Sequence, residues 1–176
     1  VFMDILRLFW IGLFLIYIIL GAQFKSFLQT LIIMFTIPFA FVGCIMFLFF
    51  SGTAISITVL FAGVALAGIA VNDSIVLISF INGLRAKGTA ITEAVAEGAS
   101  VRLRPIILTS VTTIGGLLPM AIGLGGKSAT WSPMASTIIF GLFFSTVGTL
   151  IVIPCAYGIL NDIVEKLGFT MKTEGE

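Results

Sequence analysis

From Ser26 to Asn72 the chain carries no charged side chain at all. Three further stretches, Leu8 to Phe24, Pro105 to Gly126 and Ser128 to Asn161, are equally free of charge. A helix needs roughly 20 apolar residues to cross a hydrocarbon core of about 30 Å. Runs of this length exclude a soluble globular domain, a disordered chain and a nucleic-acid binder built on a basic patch. Composition agrees: 59% of the residues are hydrophobic and 10% charged, where a soluble domain carries about 25% charge. The sequence therefore predicts an all-α membrane protein with five transmembrane helices and one short amphipathic surface helix between the third and fourth.

The expected spans are about 5–22, 27–50, 55–84, 105–124 and 132–160, within a helical domain over 1–168 that is followed by a polar tail, 169–176. Pro38 inside span two is expected to kink it, since a membrane helix tolerates proline where neighbours satisfy the freed carbonyl. Ser51-Gly52-Thr53 reads as a tight turn. The surface helix is expected over 89–103. Ile91, Ala94, Val95 and Gly98 fall on one face, Glu93 and Glu97 on the other, and Thr89 is placed to cap its start. It is too short and too polar to span, so it is expected along the membrane surface. The first run is too long and lacks the cleavage-like end of a signal peptide. The start at Val1, directly before a span, is expected to mark a piece of something larger.

Five spans set the termini on opposite sides. One side then receives Lys25, Arg85, Lys87, Arg102, Arg104, Lys166 and Lys172, and the other only Arg7 and Lys127. The basic excess marks the cytoplasmic side. The protein is thus expected in the cell inner membrane with a periplasmic N-terminus and a cytoplasmic C-terminus. Trp10 and Trp131 fall near outward ends, where indole rings favour the interface.

There is no histidine, and Cys44 and Cys155 lie far apart in apolar runs. That pattern offers no imidazole metal site, His-based triad, zinc cluster or disulfide framework. No cofactor and no enzyme activity are expected. The loop Gly123-Leu124-Gly125-Gly126-Lys127-Ser128 only superficially resembles a phosphate loop, because the G-x-x-x-x-G-K-[ST] spacing fails and no strand precedes it.

Asp73 is the one acid deep inside an apolar run. A charge near a helix centre costs about 2.5 to 3.5 kcal/mol on insertion scales, a cost kept where the group faces a cavity, a partner or a proton path. Three readings stand open: a proton carrier, a structural partner of a neighbouring helix or arginine, and a substrate contact. Small residues surround it. Gly63 with Ala67, and Gly141 with Ser145, have the spacing that lets helix backbones approach. Gly63, Gly68, Gly115, Gly116, Pro119 and Gly141 are the candidate packing residues. Arg102 and Thr109 are seven apart, hence nearly on one helical face, and could line a polar path towards Asp73. Arg102 and Arg104 could equally anchor the helix at the headgroups.

Several separated strings now resemble one family. They are Gly68 to Leu77, Ile81-Asn82, Glu93-Ala94, Arg102 to Ile106, Leu108-Thr109-Ser110, Gly115 to Pro119, and Val152-Ile153-Pro154. Together they resemble the resistance–nodulation–division (RND) efflux transporters, hydrophobe/amphiphile branch, over nearly the whole chain. The resemblance implies the last five of twelve spans of a homotrimeric inner-membrane drug/proton antiporter. It implies as partners the remaining N-terminal part, a periplasmic adaptor, an outer-membrane channel and membrane lipid, with a proton gradient as energy source and no nucleic acid. An arginine and a threonine of the family's proton relay match Arg102 and Thr109. Asn72 stands where drug pumps often have lysine, and Asp73 where asparagine is usual. Asp73 then either substitutes in part for the relay or neutralises Arg102. The relay's acidic pair lies in a span this chain lacks, so the chain alone is not expected to transport. Two other readings remain: an assembly bundle without transport activity, and a related member exporting lipids or assisting protein export.

Overall fold

Left-handed glycines, Gly52 and Gly123, close two of the helices of this chain. The computed structural model describes residues 2–124, 126 and 128–166, with side chains described as far as Ile159. Lys127, Lys172 and the tail expected over 169–176 fall outside the described residues, as does the side chain of Lys166. Among the described residues there are six helices and no strand: α1 Phe2–Phe24, α2 Phe27–Met34, α3 Thr36–Ser51, α4 Ile57–Ala86, α5 Ile91–Ile122 and α6 Trp131–Lys166. With α2 and α3 taken as one span, five are long and apolar enough to cross a membrane.

Span two is interrupted at Phe35, three residues before its proline. Proline has no N–H, and its ring crowds the carbonyl four residues back. For Pro38 that carbonyl belongs to Met34, the last residue of α2. At the break the Thr36 hydroxyl donates to the Ile33 carbonyl at 2.7 Å. Ser26 caps α2 and Ser56 caps α4, each accepting from a backbone N–H three residues on. The turn expected at Ser51-Gly52-Thr53 is the end of α3, with Gly52 at φ +61°, a left-handed geometry that glycine adopts without steric cost.

The surface helix is not separate. α5 runs unbroken from Ile91 through Pro105 to Ile122, and it starts after Ala90 with no side-chain cap, so Thr89 does not fill that role. Its amphipathic face is there: Ala94 and Gly98 are buried, and Glu93 and Glu97 are exposed. That face packs on the end of α4. A Cβ at Gly98 would stand 2.6 Å from Ile81 Cγ1. The apolar stripe finds a helix to cover it, and the segment therefore continues span four.

α6 is the hub, packed on α3, α4 and α5, while α1 lies at the margin, against α2, the edge of α4 and, through the Phe9 ring on Phe41, α3. Two apolar clusters fill the interior. Leu66, Ala62 and Ala70 of α4 meet Ala40, Cys44, Ile138 and Leu142 in one; Leu77, Ile78 and Ile81 meet Ile33, Ile153 and Tyr157 in the other. Asp73 lies on α4 between them.

Candidate functional site

Asp73 is 7% exposed, and the Thr109 and Ser110 side chains of α5 lie beside its carboxyl. The helical phase of α4 dictates this. Val71, Asp73, Ser74, Leu77 and Ile78 are buried on one broad face, whereas Asn72, about 100° further round, is exposed. Adjacent in sequence, Asn72 and Asp73 thus serve different surfaces. The structure brings Asp73 and Thr109 together and leaves Asn72 outside.

Ser110 continues the polar contact inward. Its hydroxyl lies 2.7 Å from that of Thr146 on α6 and 3.0 Å from the Ile106 carbonyl. Thr146 also reaches the Leu142 carbonyl at 2.8 Å. Thr109 donates to the Ile106 carbonyl at 2.8 Å. These hydroxyls satisfy one another and their own helices, as hydroxyls in a membrane helix commonly do. Thr109 and Ser110 can also turn towards the carboxyl.

Arg102 does not neutralise Asp73 within this chain. Its guanidinium lies over the Phe80 ring, 4.5 Å from the centroid. Phe80 is seven residues along α4 from Asp73, which at 1.5 Å per residue is about 10 Å away. A cation over an aromatic face is attracted by the ring quadrupole. Arg102 Nε is buried without a hydrogen-bond partner, so that donor is still available. Arg104 is exposed.

Sequence reasoning missed two buried polar groups. On α4, Ser74 donates to Thr36 at 3.0 Å and lies 3.2 Å from the Ala70 carbonyl. Further along, Gln29 and Asn82 exchange two amide hydrogen bonds, 3.3 and 2.8 Å; Tyr157 donates to Asn82 Oδ1 at 2.8 Å; and Arg85 donates to the Tyr157 oxygen at 3.2 Å. This network ties α2, α4 and α6 together. Apart from Arg85 these residues are neutral and carry no charge signal, so only the register between helices could have revealed the contacts.

The candidate packing residues divide. A Cβ at Gly141 would overlap Leu66 Cδ2, and one at Gly63 would lie 3.2 Å from the Phe41 ring. At Gly68, Gly115 and Gly116 no described residue comes within 4 Å of where a Cβ would stand, so these three do not pack against the described helices. Pro119 is exposed. Among the described residues no three His, Cys, Asp or Glu side chains gather as a metal-holding group.

Comparison with known proteins gives a consistent picture. The AcrB/AcrD/AcrF family pattern matches residues 3–161. The swarming motility protein SwrC of Bacillus subtilis is 37% identical over 153 residues, covering 86% of this chain and 14% of SwrC. The cobalt-zinc-cadmium resistance protein CzcA of Cupriavidus metallidurans is 37% identical over 151 residues, with the same coverage of each. Multidrug resistance protein MdtC of Erwinia tasmaniensis is 31% identical over 149 residues, covering 84% of this chain and 15% of MdtC. The crystal structure of a heavy metal efflux pump superposes with a TM-score of 0.77 at 29% identity, over 85% of this chain and 15% of the pump. This chain thus spans about one-seventh of the length of the relatives it matches. Their names divide among swarming motility, metal resistance and multidrug resistance, so they leave the branch open.

Proposed function

This chain belongs to the AcrB/AcrD/AcrF family of RND efflux transporters, and from that premise we propose that it forms part of the membrane half of a proton-coupled exporter. Asp73 is the proton-responsive group and Thr109 and Ser110 its hydrogen-bonding neighbours. The observation that carries this reading is a lone carboxyl buried in a membrane-spanning helix, against hydroxyls and away from any cation among the described residues. Such a group is costly to keep in place and marks an ion pathway by default. The protein acts by binding and release, without covalent chemistry. Arg102 reaches the relay through its free Nε donor, toward a carboxylate supplied by the rest of the protein.

In the same reading the protein is a multi-pass inner-membrane protein. The Arg85 end of α4 faces the cytoplasm and the Trp131 end of α6 the periplasm. It works as a homotrimer with a periplasmic adaptor and an outer-membrane channel, and its cargo is an amphiphilic drug or dye bound outside this chain. A second reading, metal-cation export, is favoured by the identity to CzcA. The test is Asp73→Asn in the full-length transporter, produced in a host lacking its own pumps. Dye efflux and metal tolerance are both recorded. Loss of whichever activity the parent shows, with membrane insertion intact, is expected. Parent-level transport by the variant would remove Asp73 from the mechanism.

A further inference from the structure

Thr149 of α6 is fully buried, and its hydroxyl has no hydrogen-bond partner. Buried hydroxyls in membrane helices ordinarily bond the carbonyl one turn back; Thr137, Thr146 and Ser110 all do so here. Thr149 does not.

Its neighbours follow from helix register. The contacts of Gly141 with Leu66 and of Tyr157 with Asn82 show that α4 and α6 run parallel at a fixed offset. The same offset sets Thr149 opposite Ser74. On α3, Gly43 meets Gly141 and Phe39 meets Gly148, so α3 and α6 run antiparallel and Thr36 stands level with Thr149. Ser74 and Thr36 are themselves fully buried and bonded to each other at 3.0 Å. Three hydroxyls from three helices thus share one depth of the bundle, beside the α2–α3 break. One turn along α6 from Thr149, Thr146 bonds Ser110, which flanks Asp73.

We propose that Thr149, Ser74 and Thr36 form a binding site for one water molecule, and that this site is a second arm of the polar path serving Asp73. The chemistry of the site selects the ligand. It is built from hydroxyls, which both donate and accept, and it carries no charge, so it suits water over a metal cation. Buried waters make two to four bonds to groups otherwise unsatisfied, and Thr149 is such a group. Thr109 and Ser110 reach the carboxyl from α5, and Thr146, bonded to Ser110, leads from there one turn along α6 to Thr149. Thr149 is a positioning residue here, acting through the water and Thr146. The inference rests on the proton-coupled reading above.

Valine matches threonine in shape but lacks the hydroxyl. If Thr149 only fills space, Thr149→Val removes an unsatisfied group and leaves stability equal or higher, with transport unchanged. If the site is part of the path, transport per pump falls several-fold at unchanged thermal stability, and Thr149→Ser restores it. Parent-rate transport by Thr149→Val in the full-length pump overturns the proposal. Should that variant fail to assemble, a high-resolution map of the parent decides. Density bridging Thr149 Oγ1 to Ser74 or Thr36 supports the site, and a dry contact overturns it. Asp73→Asn is measured alongside. Its normal transport defeats the proton-coupled reading itself, whereas a dead Asp73→Asn beside a normal Thr149→Val defeats only this inference.

Discussion

Two faces of α4 are built from the same small residues and do opposite things. On the face toward α3 and α6 every small residue is occupied. Ala62 and Ala70 are fully buried, and Leu66 fills the notch left by Gly141. On the other face Ala65, Gly68, Asn72, Ser79 and Gly83 form an exposed stripe at helical spacing, and Gly68 and Gly83 meet nothing. α5 extends that open surface with Thr109, Thr112, Gly115 and Gly116. α1 presents a different kind of exposed surface, with Phe14, Leu15, Ile18 and Ile19, the large apolar side chains that suit lipid. A glycine therefore reports how closely a helix can be approached, and the residue opposite decides whether it is. Asp73 stands at the seam, buried against α5, with Asn72 beside it on the open side.

The largest effect is expected at the closed face. Gly141→Val would drive two methyls into Leu66 and Cys44. Overpacking of this kind costs about 1 to 3 kcal/mol, occasionally more, and the clash with backbone at Ala40 leaves little room to relax. Thermal unfolding of the purified transporter should fall clearly. An unchanged midpoint would mean that α3 and α6 are not locked as described.

Next comes the Asn82 network. Gln29 is 3% exposed, and its amide is paired in both directions with Asn82. Asn82→Leu keeps the branched shape, strands that amide and leaves the Tyr157 hydroxyl with Arg85 alone. Leaving a buried polar group unpaired costs about 1 to 3 kcal/mol. Tyr157→Phe, which removes one bond at 2.8 Å, should cost about 1 kcal/mol. Equal effects from the two would break the network picture, since only the first orphans Gln29. A smaller change is expected at Phe80. Phe80→Leu keeps an apolar contact and removes the ring under Arg102. The cation–π contribution is about 0.5 to 2 kcal/mol, and it is read as the stability difference between Phe80→Leu and the same change made with Arg102→Gln already present.

The spans were legible because long uncharged runs have few other uses. Ile91, Ala94, Val95 and Gly98 were also legible as one face, by period alone. What covers that face was not: its partner is the end of α4, and pairing between helices leaves no mark on either sequence. The break at Phe35 was within reach, because Pro38 points to Met34 by the four-residue rule, but a proline alone does not say whether a helix bends or stops. Pro105, in the same position of principle, leaves α5 unbroken. Asp73 stood out through its charge. Arg102 stood out too, yet its place over Phe80 depends on the register between α4 and α5. Thr149, Thr146 and Ser74 were invisible for the opposite reason: a hydroxyl in an apolar run looks like any other small residue until its depth is known.

The smallest expected effect tests the comparison most directly. Alanine differs from glycine by one methyl, and the methyl meets different surroundings at two positions of similar sequence context. At Gly141 it overlaps Leu66, whereas at Gly68 it meets none of the described residues. In a helix interior alanine is favoured over glycine by roughly 0.5 to 1 kcal/mol. Gly68→Ala should therefore leave the unfolding midpoint of the full-length transporter equal or slightly raised, while Gly141→Ala lowers it. The sign at Gly68 is what matters. A lowered midpoint there would show that another helix of the complete protein presses on the stripe. The open face of α4 would then be a contact surface like the closed one, distinguished only by which part of the polypeptide supplies the partner. Asn72, on that stripe, would then face protein on its outer side as Asp73 does on its inner.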